Sequence, residues 1–131
     1  MSDESPSRRV QNTRVASLRK LKTLLVTRRS LLKVVRGVGE GMSLALGEGP
    51  FLAGRSETAQ LVLDDPAASR RHFEVVPCNE SYVVRDLGST NGTQVNHVAI
   101  VECRLTNGDI ITVGETDIAF VEETAFGSPD P

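Results

Sequence analysis

Apolar residues fall along this chain in short runs, not in long helical stripes. From Leu31 onward, segments rich in Val, Ile, Leu and Phe are broken by turn residues at intervals typical of an all-β sandwich. The pattern predicts strands near Leu31–Arg36, Ser43–Leu46, Phe51–Ala53, Gln60–Leu63, His72–Pro77, Tyr82–Asp86, Val98–Val101, Asp109–Val113 and Thr116–Val121. Long helices have almost no room. In Tyr82–Leu87, Val83 and Arg85 alternate with Tyr82, Val84 and Asp86, though the phase is not clean. Phe51, Leu63, Phe73, Val84, Ile111 and Phe120 are the core candidates. Gly37-Val38-Gly39-Glu40-Gly41 has the look of a phosphate loop, but no Gly-Lys-Ser/Thr follows and no helix opens after it, so a hairpin turn is expected.

The two ends differ from this body. Met1 to about Arg29 is polar and basic, with Val10, Val15, Leu18, Leu21, Leu24 and Leu25 spaced loosely as on one helical face. An uncapped helix of that length is marginal alone, so disorder or a partner-dependent helix is expected there. After Val121 the chain reads Glu-Glu-Thr-Ala-Phe-Gly-Ser-Pro-Asp-Pro, a linker composition that leaves room for a further domain. The expected organisation is a basic, flexible arm over 1–30, one folded domain over 31–121 and a linker or tail over 122–131.

Charge sharpens that division. Met1–Arg36 holds ten Lys/Arg against two acids, net +8, and Gly37–Pro131 holds five against fifteen, net -10. A basic arm on an acidic body could meet nucleic acid, an acidic partner or the body itself. Its Arg and Lys residues lack interleaved aromatics, which weakens a base-stacking reading. Cys78 and Cys103 have no spacing that suggests zinc or a disulfide framework, so free thiols in a reducing cytoplasm are expected. No apolar run approaches the roughly 20 residues a membrane span needs. Neither a metal site nor a cofactor is expected. Asp64, Asp65 and Asp86 share no metal-binding or acid-base spacing, so catalysis has no support in the sequence.

The chemistry concentrates in Asp86-Leu87-Gly88-Ser89-Thr90-Asn91-Gly92-Thr93. Its glycines can take positive φ, and its short hydroxyl and amide side chains can aim several donors at one point. An isolated Asn-Gly pair is more often an ordinary hairpin turn. Two other stretches change the balance: Gly54-Arg55-Ser56 and Ser69-Arg70-Arg71-His72. Together they offer arginines as cations and short polar side chains as neutral donors, what a site for an anionic ligand needs.

In this order, from Gly54-Arg55 through Ser69-Arg70-Arg71-His72 to Leu87–Thr93, and onward through Val95-Asn96 and Leu105–Asp109, the chain resembles the forkhead-associated (FHA) domain family over about Leu31 to Val121. The resemblance implies an FHA-type β-sandwich of two mostly antiparallel sheets, with binding loops at one end. It implies a phosphothreonine-dependent protein interaction module in kinase-linked signalling, with no chemistry of its own. Arg55 and Ser69 match the residues that contact phosphate, with Arg70 as a second cation. Thr90 and Asn91 match the Thr and Asn of the loop, the Asn holding the peptide backbone. Gly54, His72, Gly88, Gly92 and Asn96 match scaffold positions, with Asn96 tying one binding loop to another. His97 departs from the glycine common after that asparagine, which puts the geometry of that turn in question. Arg71 reads as a solvated charge.

Other readings compete. A sensor domain of a bacterial-type transcription regulator would use the basic arm or a further domain on DNA. A structural domain with a vestigial pocket is disfavoured by the complete set Arg55, Ser69, Thr90 and Asn91. A Ser69–His72–Asp86 hydrolytic triad lacks an oxyanion hole and a nucleophile elbow. Thr13, Thr23 or Thr27, once phosphorylated, could occupy this pocket or that of a second copy, giving self-association.

Overall fold

A computed structural model describes residues 26–126 of the chain. The expected arm helix, Thr13 and Thr23, and the tail beyond Phe126 lie outside the described residues. The folded body spans Arg29–Glu123. Its strands are β1 (Val26–Arg36), β2 (Ser43–Ala45), β3 (Phe51–Gly54), β4 (Leu61–Val62), β5 (Phe73–Cys78), β6 (Ser81–Asp86), β7 (Thr93–Val95), β8 (Val98–Ile100), β9 (Glu102–Leu105), β10 (Ile110–Val113) and β11 (Thr116–Phe126). They form a six-stranded sheet in the order β2-β1-β11-β10-β7-β8 and a five-stranded sheet in the order β4-β3-β5-β6-β9. The established pairings are antiparallel except β3 with β4, which is parallel.

The core lies between the sheets. Leu32, Val34, Val95, Ile111, Val113, Ile118 and Phe120 come from one sheet, and Phe51, Ala53, Leu61, Phe73, Val75, Val84 and Leu105 from the other. Phe73 and Phe120 are fully buried, and at about 25 cal/mol per Å² such side chains contribute most to cohesion. All six core candidates named from the sequence are buried. Alternation fails on β6 because it is an interior strand. Val84 faces the core, while Val83, on the other face, lies between its register partners Val76 and Arg104 and is also buried.

The structure departs from the expected strand map in four places. β1 starts five residues earlier and β11 ends five residues later than expected; the two are sheet neighbours, and Arg29 of one pairs with Glu123 of the other at 2.9 Å. β7 follows directly on the polar run and is only three residues long. β9 reads Glu-Cys-Arg-Leu, whose inward positions are Cys103 and Leu105. Gly37–Gly41 forms the turn between β1 and β2, closed by the Gly41 N–H on Val34 O at 2.8 Å. Among the described residues, no helix is long and apolar enough to cross a membrane.

Candidate functional site

β3 ends at Gly54, and the chain leaving it runs beside the segment that precedes β5. The Arg55 N–H donates to Ser69 O at 2.9 Å, the Ser56 N–H to Arg70 O at 3.1 Å and the His72 N–H to Ala53 O at 2.9 Å. These three bonds bring Arg55, Ser69 and Arg70 together from positions about fifteen apart in sequence. Only glycine permits the approach. A Cβ on Gly54 would lie 2.1 Å from Arg70 O and 3.0 Å from His72 N, both backbone atoms that cannot step aside.

The run after β6 is organised by Asp86. Its Oδ2 accepts the backbone N–H groups of Gly88 and Ser89, each at 3.0 Å, and its Oδ1 accepts the hydroxyls of Ser89 at 2.6 Å and Thr93 at 2.7 Å. The Ser89 hydroxyl in turn accepts the Gly92 N–H at 2.9 Å. Burial pushes the Asp86 carboxyl up, but the hydrogen bonds from Ser89 and Thr93 outweigh it and hold its pKa below the ordinary carboxylate value. Gly88 and Gly92 have φ of +73° and +86°, a region that costs other residues roughly 1 to 2 kcal/mol.

His72 joins this loop to the other two. Its ring is completely buried, with Nδ1 accepting the Ser69 N–H at 2.9 Å and Nε2 facing Gly92 O at 2.9 Å. An Nδ1 that accepts places the ring proton on Nε2, which then donates to the Gly92 carbonyl. The Ser69 hydroxyl accepts the Thr90 N–H at 3.0 Å, so its own proton is free to turn outward. Asn91 donates one amide hydrogen to Ala67 O at 3.0 Å, leaving its oxygen and second hydrogen for a ligand. No hydrolytic triad is assembled: His72 meets the Ser69 backbone instead of its hydroxyl, and the Asp86 bonds stay within its own loop.

The cations stand at the rim. Arg55 is exposed but anchored, its Nε donating to Ala68 O at 3.0 Å, which leaves the terminal nitrogens to grip an anion. Arg70 and Arg71 are exposed. Among the described residues, Arg29, Arg36 and Arg85 all pair with carboxylates, whereas Arg55, Arg70 and Arg71 pair with none. Beside Asn91 opens a small groove of about 210 Å³, lined by Asn91, Gly92, Gln94, Thr112 and Gly114. Among the described residues no cluster of His, Cys, Asp and Glu is arranged to hold a metal.

Asn96 belongs elsewhere. The resemblance implies a tie between binding loops, but Asn96 follows β7 at the end away from Gly92, donating to Asp109 Oδ1 at 3.0 Å and accepting the Ile110 N–H at 2.9 Å. It fastens the β7–β8 turn to the start of β10. Asn96 and His97 have φ of +52° and +70°, so the turn takes the two-residue form with positive φ at both positions despite the missing glycine.

Two supports have no assigned role in the sequence motifs. Asp86 opens the polar run, and an aspartate two and three residues before backbone donors is a recognisable Asx-turn signal. Asp65 is buried, with Oδ1 accepting the Ala67 N–H at 2.9 Å and Oδ2 accepting the Glu115 N–H at 2.9 Å and the Thr116 hydroxyl at 2.8 Å. It binds the segment carrying Ser69 to the β10–β11 turn, a contact spanning 51 positions that no local pattern announces.

Comparison with known proteins agrees with this architecture. The FHA domain family model matches residues 51–114. FhaA of Mycobacterium tuberculosis, an FHA domain-containing protein, is 40% identical over 80 residues, 61% of this chain and 15% of FhaA. The glycogen accumulation regulator GarA of the same organism is 36% identical over 101 residues, 77% of this chain and 62% of GarA. A solved structure from a study of phosphothreonine-dependent FHA domain interactions superposes with a TM-score of 0.66 at 35% identity, covering 71% of this chain and 95% of that one. The chain belongs to the FHA domain family. It spans 15% of the length of FhaA and 62% of GarA. These comparisons lend no support to a transcription-regulator role, to nucleic acid binding or to self-association.

Proposed function

We propose that this protein is a phosphothreonine-dependent interaction module that binds a phosphorylated segment of a partner protein, in kinase-linked signalling in the cytoplasm, and performs no chemistry. One observation carries the reading: an anchored Arg55, with no carboxylate partner among the described residues, beside a Ser69 hydroxyl whose acceptor side is filled by the Thr90 N–H. That pairing presents a fork of cationic donors and a hydroxyl proton to one point, which suits a dianionic phosphate and nothing neutral. Arg55 grips two phosphate oxygens, Ser69 and Thr90 donate to the others, and Arg70 supplies a second cation. Asn91 holds the peptide backbone, and the groove beside it receives the residues that follow. Gly54, His72, Gly88 and Gly92 keep the loops in place. The solved FHA structure from a study of phosphothreonine-dependent interactions supports the same ligand class.

The test is binding of the purified protein to an oriented phosphothreonine peptide library, beside phosphoserine and unphosphorylated versions. Phosphothreonine should win over phosphoserine by about 1 to 3 kcal/mol, the worth of one methyl in a shaped niche. Arg55→Ala should cost at least about 2 kcal/mol, roughly 30-fold, because charge-assisted bidentate bonds are lost. A folded protein that ignores every phosphopeptide would overturn the proposal.

A further inference from the structure

The loop cluster holds more positive charge than one phosphate needs. A phosphothreonine brings about -1.5 to -2 at neutral pH, while Arg55, Arg70 and Arg71 bring +3, and no described carboxylate pairs with any of them. Glu57 and Asp64 sit in the same loops, both exposed, yet neither pairs with these arginines. Asp65 and Asp86, the other acids of the three loops, are engaged by internal donors, Asp65 by Ala67, Glu115 and Thr116 and Asp86 by Gly88, Ser89 and Thr93. This surplus sits on a segment that is otherwise strongly acidic, where Gly37–Pro131 carries five Lys/Arg against fifteen Asp/Glu and three of the five are at this one edge.

Arg71 is also held in place. The residue before it accepts the Ser56 N–H through Arg70 O at 3.1 Å, and the residue after it, fully buried His72, donates its N–H to Ala53 O at 2.9 Å. Its backbone is therefore pinned on both sides while its side chain is exposed, which lowers the ordering cost of gripping a ligand. Resting on the phosphopeptide reading above, we infer that the preferred ligand carries a second anionic group near the phosphothreonine, and that Arg71 is the residue that selects for it. An extended peptide advances about 3.3 Å per residue, so the second group lies within two or three residues of the phosphate. The chemistry is a carboxylate or a second phosphate, from an Asp or Glu side chain or from a second phosphorylated residue.

The experiment measures binding of the full chain to four peptides by fluorescence anisotropy at two salt concentrations. One carries a single phosphothreonine in an alanine-rich, uncharged setting; one adds Asp or Glu at successive flanking positions; one adds a second phosphothreonine at those positions; one adds Lys. A second anionic group at the favoured position should tighten binding about tenfold and steepen the salt dependence, and Lys should weaken it. In Arg71→Ala that tenfold gain should vanish, while affinity for the uncharged-flank phosphopeptide stays within twofold of wild type. The carboxylate and phosphate arms identify which source this protein uses. A flank effect below twofold at every position, or a gain that survives Arg71→Ala, overturns the inference. If the uncharged-flank phosphopeptide also fails to bind, the phosphothreonine reading itself falls and takes this one with it.

Discussion

Replacing Gly54 by alanine places a methyl group 2.1 Å from Arg70 O and 2.7 Å from Arg70 C. Carbon and oxygen that are not bonded need more than 3 Å, so one of the two loops must retreat by about 1 Å. The atoms in the way are backbone, and no side-chain rotation relieves them. A retreat of that size stretches three hydrogen bonds, those of Arg55 N–H to Ser69 O, Ser56 N–H to Arg70 O and His72 N–H to Ala53 O. At about 0.5 to 1.5 kcal/mol each, the loss is about 2 to 4 kcal/mol, offset in part by the smaller entropy of alanine in the unfolded chain, about 0.4 to 1 kcal/mol. The net expectation is a destabilisation of about 1 to 3 kcal/mol. Phosphopeptide affinity should fall as well, since Arg55 and Ser69 part company. Urea unfolding and anisotropy read the two effects. Gly88→Ala is the informative companion: no atom lies within 4 Å of a Cβ there, and the cost comes only from its φ of +73°. A Gly54→Ala protein as stable as wild type with unchanged affinity would refute the close-approach argument, because no rearrangement that spares the backbone can remove the overlap.

Other expectations follow from the same hydrogen bonds. Asp86→Ala deletes the acceptor of four bonds and should cost about 2 to 4 kcal/mol in urea unfolding while weakening phosphopeptide binding; an effect on neither would show that the loop holds itself. Asp65, Asp86 and Asp117 all have carboxyl pKa values lowered in the folded protein. For Asp65 and Asp86 burial is the largest influence and opposes the lowering, which the hydrogen bonds achieve; for Asp117 the hydrogen bond from Arg36 leads. A depressed folded-state value gives stability that is complete above the unfolded carboxyl value of about 3.9 and is lost as pH falls through the folded values. Unfolding measured from pH 7 to 2.5 should therefore show the loss below about pH 4, and Asp86→Asn should flatten it. His97→Gly relieves a φ of +70° and should raise stability by about 0.5 kcal/mol, a gain that a fall in urea midpoint would contradict.

Much of this fold is legible because its core strands are dense in β-branched and aromatic residues. Phe51, Phe73, Val84, Ile111 and Phe120 announce themselves without any knowledge of their partners, and all are buried. β7 and β9 escape that logic for different reasons. Thr93 is buried to the extent of 1% exposure because its hydroxyl is spent on Asp86, so a polar residue serves as a core position and hides the strand that begins there. In β9 a half-buried cysteine and a single leucine carry the inward face, too little apolar weight to stand out between Val101, which is 81% exposed, and the Thr106 turn. The two-residue turns Asn79-Glu80 and Asn96-His97 lack the glycine that usually marks their form, and only the φ values reveal them.

The candidate site was legible as a set of residue types, yet its construction was not. Sequence motifs name Arg55, Ser69, Thr90 and Asn91, but they do not say that the first two are joined by backbone hydrogen bonds or that a buried imidazole bonds Ser69 to Gly92. Those joints are long-range and made largely by backbone atoms, whose chemistry every residue shares, so no side-chain pattern encodes them. What the sequence does encode is the exception each joint requires: a glycine where two backbones nearly touch, a histidine able to accept on one nitrogen and donate on the other, and an aspartate where four donors converge. A carboxamide at position 86 would turn one of its acceptors into a donor facing the Gly88 and Ser89 N–H groups or the Ser89 and Thr93 hydroxyls, and a leucine at 72 would leave the half-buried Gly92 O and Ser69 N–H without their partners. Arg55 at the rim is tied to Ala68 O, but Arg70 and Arg71 carry no such side-chain bond among the described residues. The identity of these two is free to follow the ligand, which is why Arg70 and Arg71, without a carboxylate partner among the described residues, say more about what binds than about how the loops stand.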